Sequence, residues 1–108
     1  MPISQFSALA DPVRVRVLEL LRDRPKAVHE LAAAFDITRP AISRHLRVLK
    51  EAGLVREEKH GRENFYAIES QELLTVNRWL TRFWSDHMNR LQGRRRPRPA
   101  VGDLFALE

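Results

Sequence analysis

Residues 38–50, with the sequence TRPAISRHLRVLK, decide the fold class of this 108-residue chain. If successive side chains turn by about 100°, as in an α-helix, Ile42, Leu46 and Leu49 share one side, and Arg44 and Arg47 lie on the opposite side. The segment contains no acidic residue. We therefore predict an amphipathic helix that packs one face into a core and presents a basic face to an anionic partner.

The sequence also indicates where this helix begins and ends. Thr38 is a suitable N-cap, and Pro40 lies in the first turn, where a missing amide hydrogen is tolerated. Gly53 is the residue expected to end the helix in a left-handed conformation. The predicted helix therefore covers residues 39–52, which corresponds to a rod of about 20 Å.

Three shorter helices are predicted upstream of it. Residues 3–10 have apolar side chains at a spacing of three. Asp11 is a suitable N-cap and Pro12 a suitable first residue for a second helix, which Pro25 must end. Residues 28–35, VHELAAAF, are typical of a compact, alanine-rich third helix.

A hairpin and a long helix are predicted downstream. Residues 54–59 and 64–68 have the composition of strands, and Gly61 between them suits a turn with positive φ. Residues 70–91 are predicted to form a helix capped by Ser70. A hairpin directly after an exposed basic helix is typical of a winged helix-turn-helix. The expected fold is therefore mainly α with a small β-hairpin.

Composition limits the kinds of protein that fit. With 44% hydrophobic and 31% charged residues, the chain suits one domain, which we expect at residues 1–92, followed by a flexible Arg/Pro-rich tail at residues 93–108. The net charge of +5 favours a polyanionic partner, and the absence of cysteine excludes disulfides and thiolate metal sites. No membrane-length apolar run and no signal-peptide pattern are present, so we expect a cytoplasmic protein without a membrane partner.

The basic face of residues 39–52 and the tip of the hairpin are the predicted contacts with double-stranded DNA. Arginine offers a bidentate fork to guanine, and a serine hydroxyl can contact a base edge or a phosphate. Basic residues at the hairpin tip suit the negative potential of a minor groove. Which arginine contacts a base and which a phosphate stays open. The predicted contacts are Thr38, Arg39, Pro40, Ser43, Arg44, Arg47, Lys59 and Arg62.

The last predicted helix has an apolar stripe that is longer than a small core requires. We expect it to pack, together with the first helix, against a second copy of the chain. His87 lies inside the stripe and is expected to be structural, and the sharper hypothesis is that its protonation weakens the dimer. The predicted interface consists of Ile3, Phe6, Leu73, Val76, Leu80, Phe83, Trp84, His87, Met88 and Leu91.

Three stretches together resemble one known family. ALADPVRVRVLELL at residues 8–21, VHELAAAFDITRPAISRHLRVLKEAGLV at residues 28–55 and HGRENFYAI at residues 60–68 resemble the ArsR family of bacterial winged helix-turn-helix repressors. The most specific part is SRHLRVLKEAGLV. The resemblance implies a homodimer, joined through its first and last helices, that binds a palindromic operator on the bacterial nucleoid and represses transcription.

The same resemblance indicates where metal sensors of the family hold their ions. Their Cys-x-Cys pair corresponds here to Ala27 and His29, which supply no thiolate. Their Asp-x-His pattern on the last helix does not fit Asp86, which is followed by His87 and Met88. We therefore expect no cysteine-based metal sensing, no metal and no cofactor, as in the branch of the family that lacks a metal site and includes autorepressors.

Other interpretations remain open at this point. The basic helix face could be an ordinary solvated surface, or it could bind an acidic protein as a winged-helix interaction module. A family member could also sense an unidentified ligand, or zinc, through His29, His45, His60 and His87. We expect His45, near the apolar side of its helix, to be structural and hydrogen-bonded. No catalytic triad, phosphate-binding glycine loop or HExxH motif is present, so no enzyme activity is expected.

Overall fold

The computed structural model describes residues 1–92, so the predicted tail at residues 93–108 lies outside the described residues. The helices are α1 (Ile3–Leu9), α2 (Pro12–Leu20), α3 (Val28–Ala32), α4 (Arg39–Glu51) and α5 (Ser70–Gln92). The strands are β1 (Lys26–Ala27), β2 (Val55–His60) and β3 (Glu63–Ile68). This architecture confirms the predicted winged helix-turn-helix: α3 and α4 are followed directly by the β2–β3 wing.

Two of the predicted helix starts are made by the expected side chains, whereas Ser70, the predicted cap of the last helix, is itself the first residue of α5. The Asp11 carboxylate accepts hydrogen bonds from the backbone N–H groups of Val13 (2.9 Å) and Arg14 (3.2 Å) at the start of α2. The Thr38 hydroxyl accepts one from the N–H of Ala41 (3.3 Å) at the start of α4. These short-range bonds satisfy amide groups that a helix leaves without a partner.

Two helices end earlier than predicted. The second helix stops at Leu20, well before Pro25, and the Lys26 ammonium donates a hydrogen bond to the Leu20 carbonyl there. The third helix stops at Ala32 instead of residue 35. Beyond it, Phe35 N–H bonds to the carbonyl three residues back, so the chain continues as a tighter turn.

The sheet has one strand more than the predicted hairpin. Strand β1 pairs antiparallel with β3, with Lys26 opposite Tyr66 and Ala27 opposite Phe65, so the strand order is β1-β3-β2. In the wing, β2 and β3 pair from Val55 opposite Ile68 to the tip, where the turn includes Gly61 at a φ of 64°. The wing is therefore attached along one edge to the segment that leads into α3.

The core lies beneath α4. The fully buried side chains come from α2, α3, α4 and the start of the wing: Val17, Leu31, Ile42, Leu46, Leu49 and Leu54. In contrast, Val76 is the buried residue of α5, the longest helix. None of the helices within residues 1–92 combines the length and apolar character needed to cross a membrane.

Candidate nucleic-acid interface

Helix α4 presents its predicted basic face to solvent. Ile42, Leu46 and Leu49 are fully buried, and this fixes the rotation of the helix about its axis. The predicted DNA-contacting side chains of this helix are exposed and make no ion pair with any carboxylate in the part of the chain that the structure describes. These exposed residues are Arg39, Pro40, Ser43, Arg44 and Arg47. The charges of the three arginines are therefore available to an external anion.

Lys50, at the end of the same helix, has a different role. Its ammonium donates a hydrogen bond to the Glu57 carboxylate of β2 at 2.8 Å, which raises the pKa of Lys50 and lowers that of Glu57. The Tyr66 hydroxyl of β3 donates to the other Glu57 oxygen at 3.4 Å. Lys50 thus connects α4 to the wing and does not belong to the free basic face.

Two other exposed residues at the end of α4 are not among the predicted contacts. Val48 and Glu51 lie on the outer half of the helix surface, in its C-terminal part. The apolar pattern could have identified Val48, because it interrupts the polar side of the helix. Glu51 lies four residues after Arg47, so the basic character of this face is concentrated in its N-terminal half.

The wing carries its predicted basic residues at the tip. Lys59 and Arg62 are exposed, and neither makes an ion pair within residues 1–92. Glu58 is bonded to His60 (3.2 Å) and Arg56 (2.7 Å), and these two contacts lower its pKa. Since neighbouring residues of a strand point to opposite faces, Lys59 lies on the face away from this carboxylate.

His45 makes a hydrogen-bond contact within its own chain, as expected for a structural residue. Its imidazole is half-buried between α4 and α2, and its Nδ1 atom lies 3.2 Å from an Arg14 nitrogen. The other histidines are dispersed: His29 on α3 contacts Glu63 of the wing at 3.4 Å, whereas His60 contacts Glu58. Within residues 1–92 no three His, Asp or Glu side chains are grouped closely enough to hold a metal ion.

The apolar stripe of α5 is largely uncovered in the single chain. Phe83 and Leu91 are each 67% exposed, and Ile3 of α1 is 66% exposed. Trp79 of α5 packs edge-on against Phe6 of α1, with ring centroids 5.4 Å apart, and stacks on Phe83 at 5.6 Å. Phe6, Trp79 and Phe83 thus form one aromatic cluster across α1 and α5, and the exposed Ile3 lies one turn before Phe6 on α1.

The other predicted interface residues occupy several environments. Val76 is 7% exposed and packs within its own chain, which leaves it little surface to offer a second copy. Trp84 is 46% exposed, and the exposed His87 ring packs edge-on against it, with centroids 6.1 Å apart. Leu73, Leu80 and Met88 are half-buried. The proposed effect of His87 protonation on a dimer stays a prediction.

Known proteins match this chain in sequence over the region that contains α4. The sequence profile of the family described as bacterial regulatory protein, arsR family, matches residues 11–57. The HTH-type transcriptional repressor SmtB of Mycobacterium tuberculosis is 42% identical over 69 residues, which cover 64% of this chain and 51% of SmtB. The chain thus spans about half the length of that relative. The HTH-type transcriptional regulator Rv2034 of the same species is 39% identical over 84 residues, or 78% of each chain.

A solved structure extends the similarity to three dimensions. It is the solution structure of the homodimeric winged helix-turn-helix DNA-binding domain of Mb0332 from Mycobacterium bovis, described as a possible ArsR-family transcriptional regulator. The two chains are 25% identical and superpose with a TM-score of 0.63 over 82% of each. The family profile match contains α2, α3 and α4 and ends within β2.

Proposed function

Because this chain belongs to the ArsR family of bacterial regulatory proteins, we propose that it is a sequence-specific DNA-binding transcriptional repressor. The observation that carries the proposal is the exposed surface of α4, where Arg39, Arg44 and Arg47 are without a carboxylate partner in residues 1–92. The similarity to a mycobacterial protein named as a repressor supports the direction of regulation.

In this proposal the N-terminal half of α4 enters the major groove. The capped end at Thr38 and the rigid Pro40 set the backbone where the helix meets the duplex. Arginine forks then bind guanine edges or phosphates, and the Ser43 hydroxyl adds a short contact. The first residues of a recognition helix are the ones that typically contact bases. This geometry agrees with the N-terminal concentration of positive charge on α4.

The wing supplies a second contact in the same proposal. Lys59 and Arg62 at its tip are directed to the backbone or minor groove beside the site of α4. The Lys50–Glu57 hydrogen bond restrains the wing relative to α4. A restrained wing contacts DNA with less loss of conformational freedom than a free loop.

We infer a homodimer that forms through α1 and α5 and binds an inverted repeat. The exposed apolar surface of Ile3, Phe83 and Leu91 supports this, as does the homodimeric state of the M. bovis domain. A twofold axis would place two α4 helices about one turn of DNA, roughly 34 Å, apart. Bound dimer would then block access to the promoter. Release from DNA does not involve cysteine thiolates, because the chain contains none.

Selection from a randomised duplex library tests the proposal. Purified protein should enrich an inverted repeat whose half-site centres are about one helical turn apart. In gel shifts, affinity for the enriched duplex should fall steeply between about 50 and 200 mM salt. A variant with Gln at positions 39, 44 and 47 should lose binding, whereas Arg16→Gln, which removes an exposed charge on α2, should retain it. Absence of any enriched sequence contradicts the proposal.

A further inference from the structure

The Arg14 guanidinium joins two other helices to α2. Its Nε donates to the Ala8 carbonyl at 2.7 Å, and one terminal nitrogen donates to the Ser7 carbonyl at 3.4 Å. These carbonyls belong to the last turn of α1, and the Ser7 carbonyl also accepts a hydrogen bond from the N–H of Ala10 at 3.2 Å. The other terminal nitrogen lies 3.2 Å from Nδ1 of His45 on α4. A single side chain thus links α1 and α2 to the helix proposed to bind DNA.

This contact defines which ring nitrogen of His45 accepts a hydrogen bond. A guanidinium only donates hydrogen bonds, so the contact requires Nδ1 to accept and the ring hydrogen to lie on Nε2. The charged groups that α2 brings to the ring are Arg14 and Asp11, whose Oδ1 lies 4.0 Å from the same Nδ1. Helix α1 contributes only the Ser7 and Ala8 carbonyls of the Arg14 site.

A proton on Nδ1 would reverse these interactions. The hydrogen bond from Arg14 would be lost, and two positive groups would face each other across 3.2 Å. The new N–H would be attracted to Asp11, which already accepts two backbone bonds at the start of α2. His45 directly follows Arg44, so a change at this ring acts on the proposed DNA-contacting turn of α4.

We propose that Arg14 and His45 are positioning residues for α4, and that protonation of His45 weakens DNA binding; this inference rests on the proposed function above. The general effect of acid is opposite, because every protonated histidine adds positive charge that favours a polyanion. Comparison of matched variants separates the two effects.

His45→Asn tests the inference, because the amide oxygen can replace Nδ1 as an acceptor but does not titrate. Affinity for the selected duplex is measured from pH 8 to pH 5.5. At pH 8 the variant should bind within about threefold of the original protein, since the acceptor is kept. At pH 5.5 it should bind more tightly than the original protein by clearly more than this margin of about threefold, because only the original protein can take up a proton at position 45. The control His29→Asn should follow the original profile. Coinciding profiles for the original protein and His45→Asn would overturn the inference.

A measurement without DNA distinguishes this inference from the proposed function. Nitrogen-15 NMR of the His45 ring at pH 8 should show hydrogen on Nε2, and hydrogen on Nδ1 would refute the contact with Arg14. Arg14→Lys keeps the charge but lacks the fork that reaches both Ala8 and His45, so it should weaken DNA binding at pH 8 and reduce the pH dependence. If no duplex is bound at pH 8 although Nε2 carries the hydrogen, the proposed function fails and the positioning contact stands.

Discussion

The turn that ends α4 requires glycine for two separate reasons. Gly53 has a φ of 75°, which side chains with a Cβ atom rarely adopt. A Cβ atom at this position would also lie 2.6 Å from Cγ of Glu72 on α5. Gly61 in the wing has a similar φ of 64° but no atom within 4 Å of an added Cβ. A comparison of alanine substitutions at the two glycines therefore separates the cost of backbone strain from the cost of steric overlap.

Gly61→Ala should destabilise the fold by about 1 to 2 kcal/mol, the cost of a left-handed non-glycine residue. Gly53→Ala should cost more, because the Glu72 side chain must also move away from the added methyl group. Chemical denaturation of the two variants measures the difference. Adding Glu72→Ala to Gly53→Ala should remove the steric part and leave a loss similar to that of Gly61→Ala. Equal losses for the two single variants would disprove the proposed contact.

At Arg44, the prediction concerns DNA affinity and not stability. If this side chain contacts a base, Arg44→Ala should cost about 1 to 3 kcal/mol on the selected duplex and less on random DNA. Arg16→Ala is the matched control, because Arg16 is exposed on α2 and faces Glu19 at 3.8 Å. Fluorescence anisotropy with both duplexes gives the two losses. An equal loss on both would assign Arg44 to a phosphate.

Among the elements, α3 shows how a very short helix is held in position. The Glu30 carboxylate accepts a hydrogen bond from the N–H of Ala27 (3.0 Å) and pairs with Arg24 (2.7 Å). This is half of a capping box, because Ala27 has no side-chain acceptor to return the bond. The Arg24 contact, followed by the Ala27 amide, lowers the pKa of Glu30 to about 2.

Glu30→Gln should therefore lower the melting temperature at neutral pH. The folded-state pKa lies below the ordinary value of 4.5, so ionised Glu30 stabilises the fold above that pH. This contribution is lost as the pH falls from about 4.5 through about 2. The difference in melting temperature between the variant and the original protein should shrink over that range. Calorimetry at pH 7, 4 and 2 would test it, and a constant difference would contradict it.

On the scale of the whole molecule, the distribution of apolar surface indicates assembly. The buried side chains lie beneath α4, whereas α5 exposes large apolar groups over much of its length. A chain of this size has a small core, so burial against a second copy would add substantially to its stability. The same association would set the spacing of the two α4 helices. We therefore expect that both the stability of the fold and the binding to DNA depend on protein concentration.

Phe83→Asp should shift the protein from dimer to monomer. A carboxylate without a partner in a desolvated interface costs several kcal/mol, so the dissociation constant should rise by at least about tenfold. Leu74→Asp is the matched control, since Leu74 is 48% exposed and lies roughly on the opposite side of α5. Sedimentation analysis compares the two. Dissociation by Leu74→Asp alone would place the interface on the other face of the helix.

The sequence by itself determined the features that depend on neighbouring residues. The rotation of α4 follows from apolar residues spaced three and four apart. The caps at Asp11 and Thr38 bond amides two or three residues away, and Gly53 and Gly61 have the positive φ expected of them. The resemblance to the ArsR family is also visible in the sequence, because the stretches that carry it are continuous segments of the chain. Such features need no knowledge of distant segments.

The tertiary structure alone decided the contacts between distant residues. A two-residue strand at Lys26 has no periodicity of its own, so only its pairing with β3 defines β1. Arg14 and His45 are 31 positions apart, and the Gln5 amide donates to the Ala52 carbonyl across 47 positions. Which distant groups meet depends on how the apolar faces of all the helices pack together. The pattern of one segment therefore indicates which of its faces packs against the rest of the chain. Only the packed chain shows which distant segment lies against that face.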